Sequence, residues 1–142
     1  MKKVFLWVMM MTGVMSLESS HACTGITLQT IDSMTVTART IEWAAEPLNA
    51  MCVIVPKGQK QRSWLPDGTP LGKNFTAEYG YVGIAVENDE FLMEGINEMG
   101  LAAGLFYFPG YGEYMPYKEA DKSQCVSDMQ FVAWVLSTCA TI

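Results

Sequence analysis

Cys23 stands directly after Ser20-His21-Ala22, where Ser20 and Ala22 supply the small residues of an A-x-A-like cleavage site. A cut after Ala22 would make Cys23 the first residue of the mature chain, with a thiol and a free α-amine on one residue. Such a residue carries both its nucleophile and its base and can attack an acyl carbon without a neighbouring imidazole. An α-amine titrates unperturbed at about 7.7–8.0, a range suited to a general base near neutral pH. The base matters because His21 is the one histidine of the chain and lies ahead of the cut. The mature chain therefore offers no Cys–His or Ser–His pair and no His-based zinc site.

The stretch ahead of Cys23 has the order of a secretory leader. Lys2 and Lys3 form a basic start, residues 4–14 are mostly apolar, and residues 16–22 are small and polar. The apolar run is short for a hydrocarbon layer of about 30 Å. Two other readings stay open: a membrane-anchored N-terminus, and a lipidated Cys23. Lipidation is disfavoured by Ser20, which stands where a bulky aliphatic residue is expected. The formal net charge is −6, and loss of Lys2, Lys3 and Glu18 makes it more negative. No basic cluster remains, so nucleic acid is not an expected partner. Cys52, Cys125 and Cys139 show no C-x-x-C spacing, which removes a metal knuckle or dithiol redox motif. One helix through Cys125 and Cys139 would hold them about 21 Å apart, beyond disulfide reach. All three read as small buried hydrophobes.

The elements that must position Cys23 begin immediately after it. Residues 24–30 and 34–41 alternate in polarity around Ile31-Asp32-Ser33, which predicts a hairpin whose first strand starts at the thiol. Residues 51–55 form a short apolar strand stopped by Pro56-Lys57-Gly58. Residues 59–75, with Pro66-Asp67-Gly68, read as a surface connection. Strands are expected at 79–87, 90–96 and 101–108, the last two joined by a turn at Asn97-Glu98-Met99-Gly100. The small-residue run 100–104 leaves room for something to approach the backbone. Val126, Met129, Val132, Leu136 and Cys139 recur at helical spacing, with Ser123 or Ser127 to cap the start. Phe131 and Trp134 make further sides of that helix apolar, so cover on more than one face is expected. The helix shows no stop signal before Ile142, and we expect the chain to be the N-terminal portion of a longer protein.

Three segments resemble the choloylglycine hydrolase family, which comprises bile salt hydrolases and penicillin V acylases. The first is Cys23-Thr24-Gly25-Ile26 with Thr37-Ala38-Arg39-Thr40-Ile41-Glu42-Trp43. The second is Glu94-Gly95-Ile96-Asn97-Glu98-Met99-Gly100-Leu101 followed by Gly104-Leu105-Phe106-Tyr107-Phe108-Pro109-Gly110. The third is the apolar helix around Trp134-Val135-Leu136.

The resemblance implies an α+β fold of the N-terminal nucleophile hydrolase type, an αββα sandwich of antiparallel sheets. It implies Cys23 as nucleophile, attacking a linear amide to give a thioester that water cleaves. Arg39 matches an arginine near the nucleophile, where a guanidinium favours the thiolate. Glu42 stands where the family usually carries Asp against the α-amine, and its extra methylene alters that geometry. Tyr107 stands at an oxyanion-hole position, where a backbone N–H can serve whatever the side chain, and leans toward the penicillin V acylase pattern. Phe106, Phe108 and Tyr111 are candidates for an apolar acyl pocket, with core packing as the alternative for most aromatics here. Residues after Phe108 are the better pocket candidates, because a Gly/Tyr/Pro loop at strand ends is a usual place for substrate contacts. A second active-site Arg and an Asn are expected beyond Ile142. The implied substrates are conjugated bile salts, phenoxyacyl β-lactams or N-acyl amines, with no cofactor, no membrane contact after leader removal and a homo-oligomer left open. The competing readings are a lipidated, non-catalytic envelope protein and an inactive truncated product.

Overall fold

The computed structural model describes residues 23–42, 47–108 and 110–142. The leader read over residues 1–22, together with Trp43 and Pro109, lies outside the described residues. The first hairpin joins β1 (Gly25–Gln29) to antiparallel β2 (Thr35–Arg39), with Gly25 opposite Arg39. Thr30 closes its turn by donating its N–H to the Met34 carbonyl and accepting the Met34 N–H on its hydroxyl, while Ser33 takes a φ of 64°.

The main sheet is antiparallel throughout, in the order β3-β6-β7-β8: β3 (Ala50–Val55), β6 (Tyr81–Val86), β7 (Leu92–Asn97) and β8 (Ala102–Gly104). Its alternation divides the residues by face. Met51, Val53, Val55, Tyr81, Ala85 and Leu92 meet helix α1 (Phe131–Thr138) through Val132, Ala133 and Leu136. The opposite face carries Cys52, Val82, Ile84, Glu94 and Ile96. Gly95 is required where the helix comes closest: a Cβ there would lie 2.9 Å from Leu136 Cδ1 and 2.7 Å from the Val82 carbonyl oxygen.

Asn97 ties this core together. Its Nδ2 donates to the carbonyls of Leu136 and Cys139 at 3.0 and 2.8 Å, and its Oδ1 accepts the N–H groups of Met99 and Leu101 at 3.1 and 3.0 Å. One buried amide thus ends the helix and shapes the β7–β8 turn, where Gly100 supplies a φ of 84°.

Several expectations are corrected. Residues 59–75 are not a surface connection: β4 (Lys60–Arg62) pairs with β5 (Asn74–Thr76), and Ser63, Leu65 and Phe75 are buried. The cause lies far along the chain. Buried Gln130 accepts from the Ser63 hydroxyl and the Trp64 N–H at 3.0 and 2.7 Å and donates to the Arg62 carbonyl at 3.2 Å. The helix is also shorter than expected: it runs only over Phe131–Thr138 after a 3₁₀ turn at Asp128–Gln130, and Ser127 makes no capping bond. Phe131 is 48% exposed, so that side of the helix is open. The last expected strand keeps pairing only over Ala102–Gly104. Cys52 is exposed, Cys125 and Cys139 are half-buried, and all are free thiols rather than buried hydrophobes. Cys52 is exposed because it sits at the outward register of β3, between the inward Met51 and Val53. The result is a sheet-dominated α+β arrangement with one α-helix among the described residues.

Candidate active site

The hairpin reaches the main sheet on the face away from α1, and a cavity of about 860 Å³ lies between them. Cys23, Arg39, Cys52, Glu94, Phe106 and Phe108 are among its walls. Cys23 lies two residues before β1, and the hairpin ladder continues one step beyond the strands, at Thr24 and Thr40, next to it. The Thr40 N–H donates to the Thr24 carbonyl at 2.8 Å, and the Thr24 N–H donates to the Thr40 hydroxyl oxygen at 3.0 Å. That hydroxyl donates in turn to the Glu42 carboxylate at 3.0 Å. The Cys23 thiol lies 3.9 Å from the Glu42 carbonyl oxygen, a weak S–H donation. Glu42 is thus brought beside Cys23 through its backbone, and its carboxylate is steered by Thr40.

Arg39 binds the hairpin to the sheet. Its Nε donates to the Thr40 carbonyl at 3.2 Å, and its Nη1 donates to the carbonyls of Met93, at 3.2 Å, and Leu105. The guanidinium carbon sits 4.4 Å from the centroid of the Phe106 ring, a stacking worth about 0.5–1 kcal/mol where water has access. Arg39 and Cys23 both line the cavity. Among the described residues no hydrogen bond joins them.

The other residues singled out from the sequence divide. Phe106 and Phe108 line the cavity, whereas Tyr107 projects an exposed side chain and Tyr111 is 90% exposed, both outside the lining. Sequence reasoning missed Thr40, Glu94 and Cys52. Thr40 and Glu94 sit inside the quoted segments, but neither residue type announces its contact. Glu94 could have been noticed as the acidic residue on an otherwise apolar strand face. Among the described residues, no group of three His, Cys, Asp or Glu side chains could hold a metal ion, and no helix is long and apolar enough to cross a membrane.

The arrangement suits attack by a thiol on an acyl group lying in a cavity with apolar walls. No solved structure matches the chain. Residues 23–142 match the family model of linear amide C-N hydrolases, choloylglycine hydrolase family, and the chain belongs to that family.

Proposed function

We propose that this protein is an exported amidase with Cys23 as an N-terminal nucleophile, released by cleavage after Ala22. Family membership carries hydrolysis of a linear amide C–N bond and a small-molecule substrate as the general reaction. In the finer reading, the Cys23 α-amine takes the thiol proton, and the thiolate adds to the amide carbonyl carbon. The C–N bond breaks as the α-amine returns that proton to the leaving amine, leaving a thioester. Water, deprotonated by the same α-amine, then cleaves the thioester and restores the thiol. The backbone N–H of Tyr107 is the candidate oxyanion donor, and Glu42 orients the α-amine. The fold is the αββα sandwich of N-terminal nucleophile hydrolases. The acyl group is apolar and lies in the cavity against Phe108, with phenoxyacyl β-lactams, conjugated bile salts and N-acyl amines as the candidates. Tyr107 leans toward the first of these.

The observation that supports this reading best is the position of Cys23: at the start of the hairpin, with its thiol on the cavity between hairpin and sheet. Intact mass of the exported protein should show an unmodified N-terminus at Cys23, and a diacylglyceryl addition would overturn the assignment. Cys23→Ala in the natural protein should abolish amide hydrolysis, and so should a variant whose leader cannot be cut, since it keeps the thiol and loses the α-amine. Retained turnover in either variant would place the chemistry elsewhere.

A further inference from the structure

The place of Cys23 in the cavity depends on how the first hairpin is seated, because β1 is exposed along its whole length. Its seat is a small corner near Gly25, two residues beyond the thiol. Gly25 and Arg39 are direct cross-strand partners and therefore face the same side of the hairpin. The ring of Phe106 fills that side. Arg39 covers one face of the ring, with its guanidinium carbon 4.4 Å from the centroid. A Cβ built on Gly25 would lie 2.5 Å from Cζ and 2.9 Å from Cε1 of the same ring, so the ring occupies the volume that any other residue at 25 would need. A Cβ on Gly104, at the end of β8, would meet Cε2 at 3.7 Å.

We propose that Phe106 is a positioning residue: its ring, held against the Arg39 guanidinium and wedged into the side-chain space of Gly25, sets where Cys23 stands over β7 and β8. The proposal rests on the reading of Cys23 as nucleophile. It gives Phe106 a different duty from lining the acyl pocket, and the two duties separate in kinetics. A residue that binds substrate and transition state alike moves KM, whereas one that aims the nucleophile moves kcat. A misplacement of about 1 Å lowers rate by about 10²-fold.

The experiment is steady-state hydrolysis of an apolar acyl amide by the natural protein and five variants, with circular dichroism to confirm folding. Phe106→Leu should lower kcat by about 10- to 100-fold at unchanged KM. Phe106→Tyr should also lower kcat, because it adds an oxygen to the ring carbon that faces Gly25, although a pocket wall would tolerate it. Gly25→Ala should lower kcat by driving a methyl group into the ring. Combined with Phe106→Ala, it should do no further damage, since the space is then free. A raised KM with kcat preserved in Phe106→Leu, or multiplying effects in the double variant, would overturn the proposal. If the folded natural protein hydrolyses no amide, the reading of Cys23 fails by itself. The seat is then judged from thermal midpoints of the same set, where additive losses for Gly25→Ala and Phe106→Ala would sink it.

Discussion

Arg39 engages the carbonyl oxygens of Thr40, Met93 and Leu105 with one planar group. A lysine presents its protons from a single point and cannot reproduce that spread. Arg39→Lys should therefore lower stability by about 1.5–3 kcal/mol, the range for hydrogen bonds to a charged group. Urea denaturation measures it, and an unchanged midpoint would show that the hairpin is seated by other contacts. Glu42 teaches a related point. Its carboxylate is held by the Thr40 hydroxyl, which also accepts the Thr24 N–H. Thr40 thus fixes the direction of the Glu42 carboxylate.

At the scale of elements, the decisive contact is between α1 and the sheet. Leu136 is fully buried against Gly95, and Asn97 binds the carbonyls at the helix end. Leu136→Ala should cost about 2–5 kcal/mol, as for other buried leucines in tight cores. Asn97→Ala leaves two carbonyls and two N–H groups without their partner, and the buried Leu136 carbonyl and Leu101 N–H should cost about 1–3 kcal/mol each. It should therefore destabilise at least as much as the leucine truncation. A loss below about 1 kcal/mol by thermal denaturation would mean that water replaces the amide without difficulty. The segment 60–76 depends on the same helix through Gln130, so loosening α1 should also release β4 and β5. Hydrogen exchange at Lys60–Arg62 would report that coupling.

Across the whole molecule, one face of the main sheet is closed by α1 and the other opens on the cavity. The first hairpin sends Arg39 toward the sheet and leaves Ile26, Leu28 and Val36 at 53, 58 and 48% exposure. Alkaline stability is a property at this scale. Burial of Tyr81 raises its phenol above the ordinary value, its hydrogen bond to Gln61 only partly opposing the shift. A tyrosine with a raised folded-state pKa gives up its proton first in the unfolded chain, so stability is kept below about pH 10 and falls as pH rises above it. Tyr81→Phe should flatten that fall, and an unchanged pH dependence of the urea midpoint would assign the loss to other groups.

Much was legible in local pattern. Period-2 alternation located β1 and β2, and short apolar runs located β3 and β6, to within a residue or two, because strand dihedrals and side-chain order are local properties. Residue type singled out Cys23 as the candidate nucleophile, since the one histidine, His21, lies ahead of the proposed cut. Other features were not legible. β8 ends at Gly104 although its pattern runs on, because beyond it the Leu105 carbonyl turns to Arg39 rather than to a strand. Asn97 stood out as part of a marker, while its task of closing a helix was hidden. The sequence by itself determined where most strands run and which residue is the candidate nucleophile. Only the tertiary structure decided that Arg39 grips carbonyls at 93 and 105 and that Phe106 fills the space left by Gly25. These contacts join segments more than fifty residues apart. Packing sets the rotation of one element on another, and no local preference encodes it.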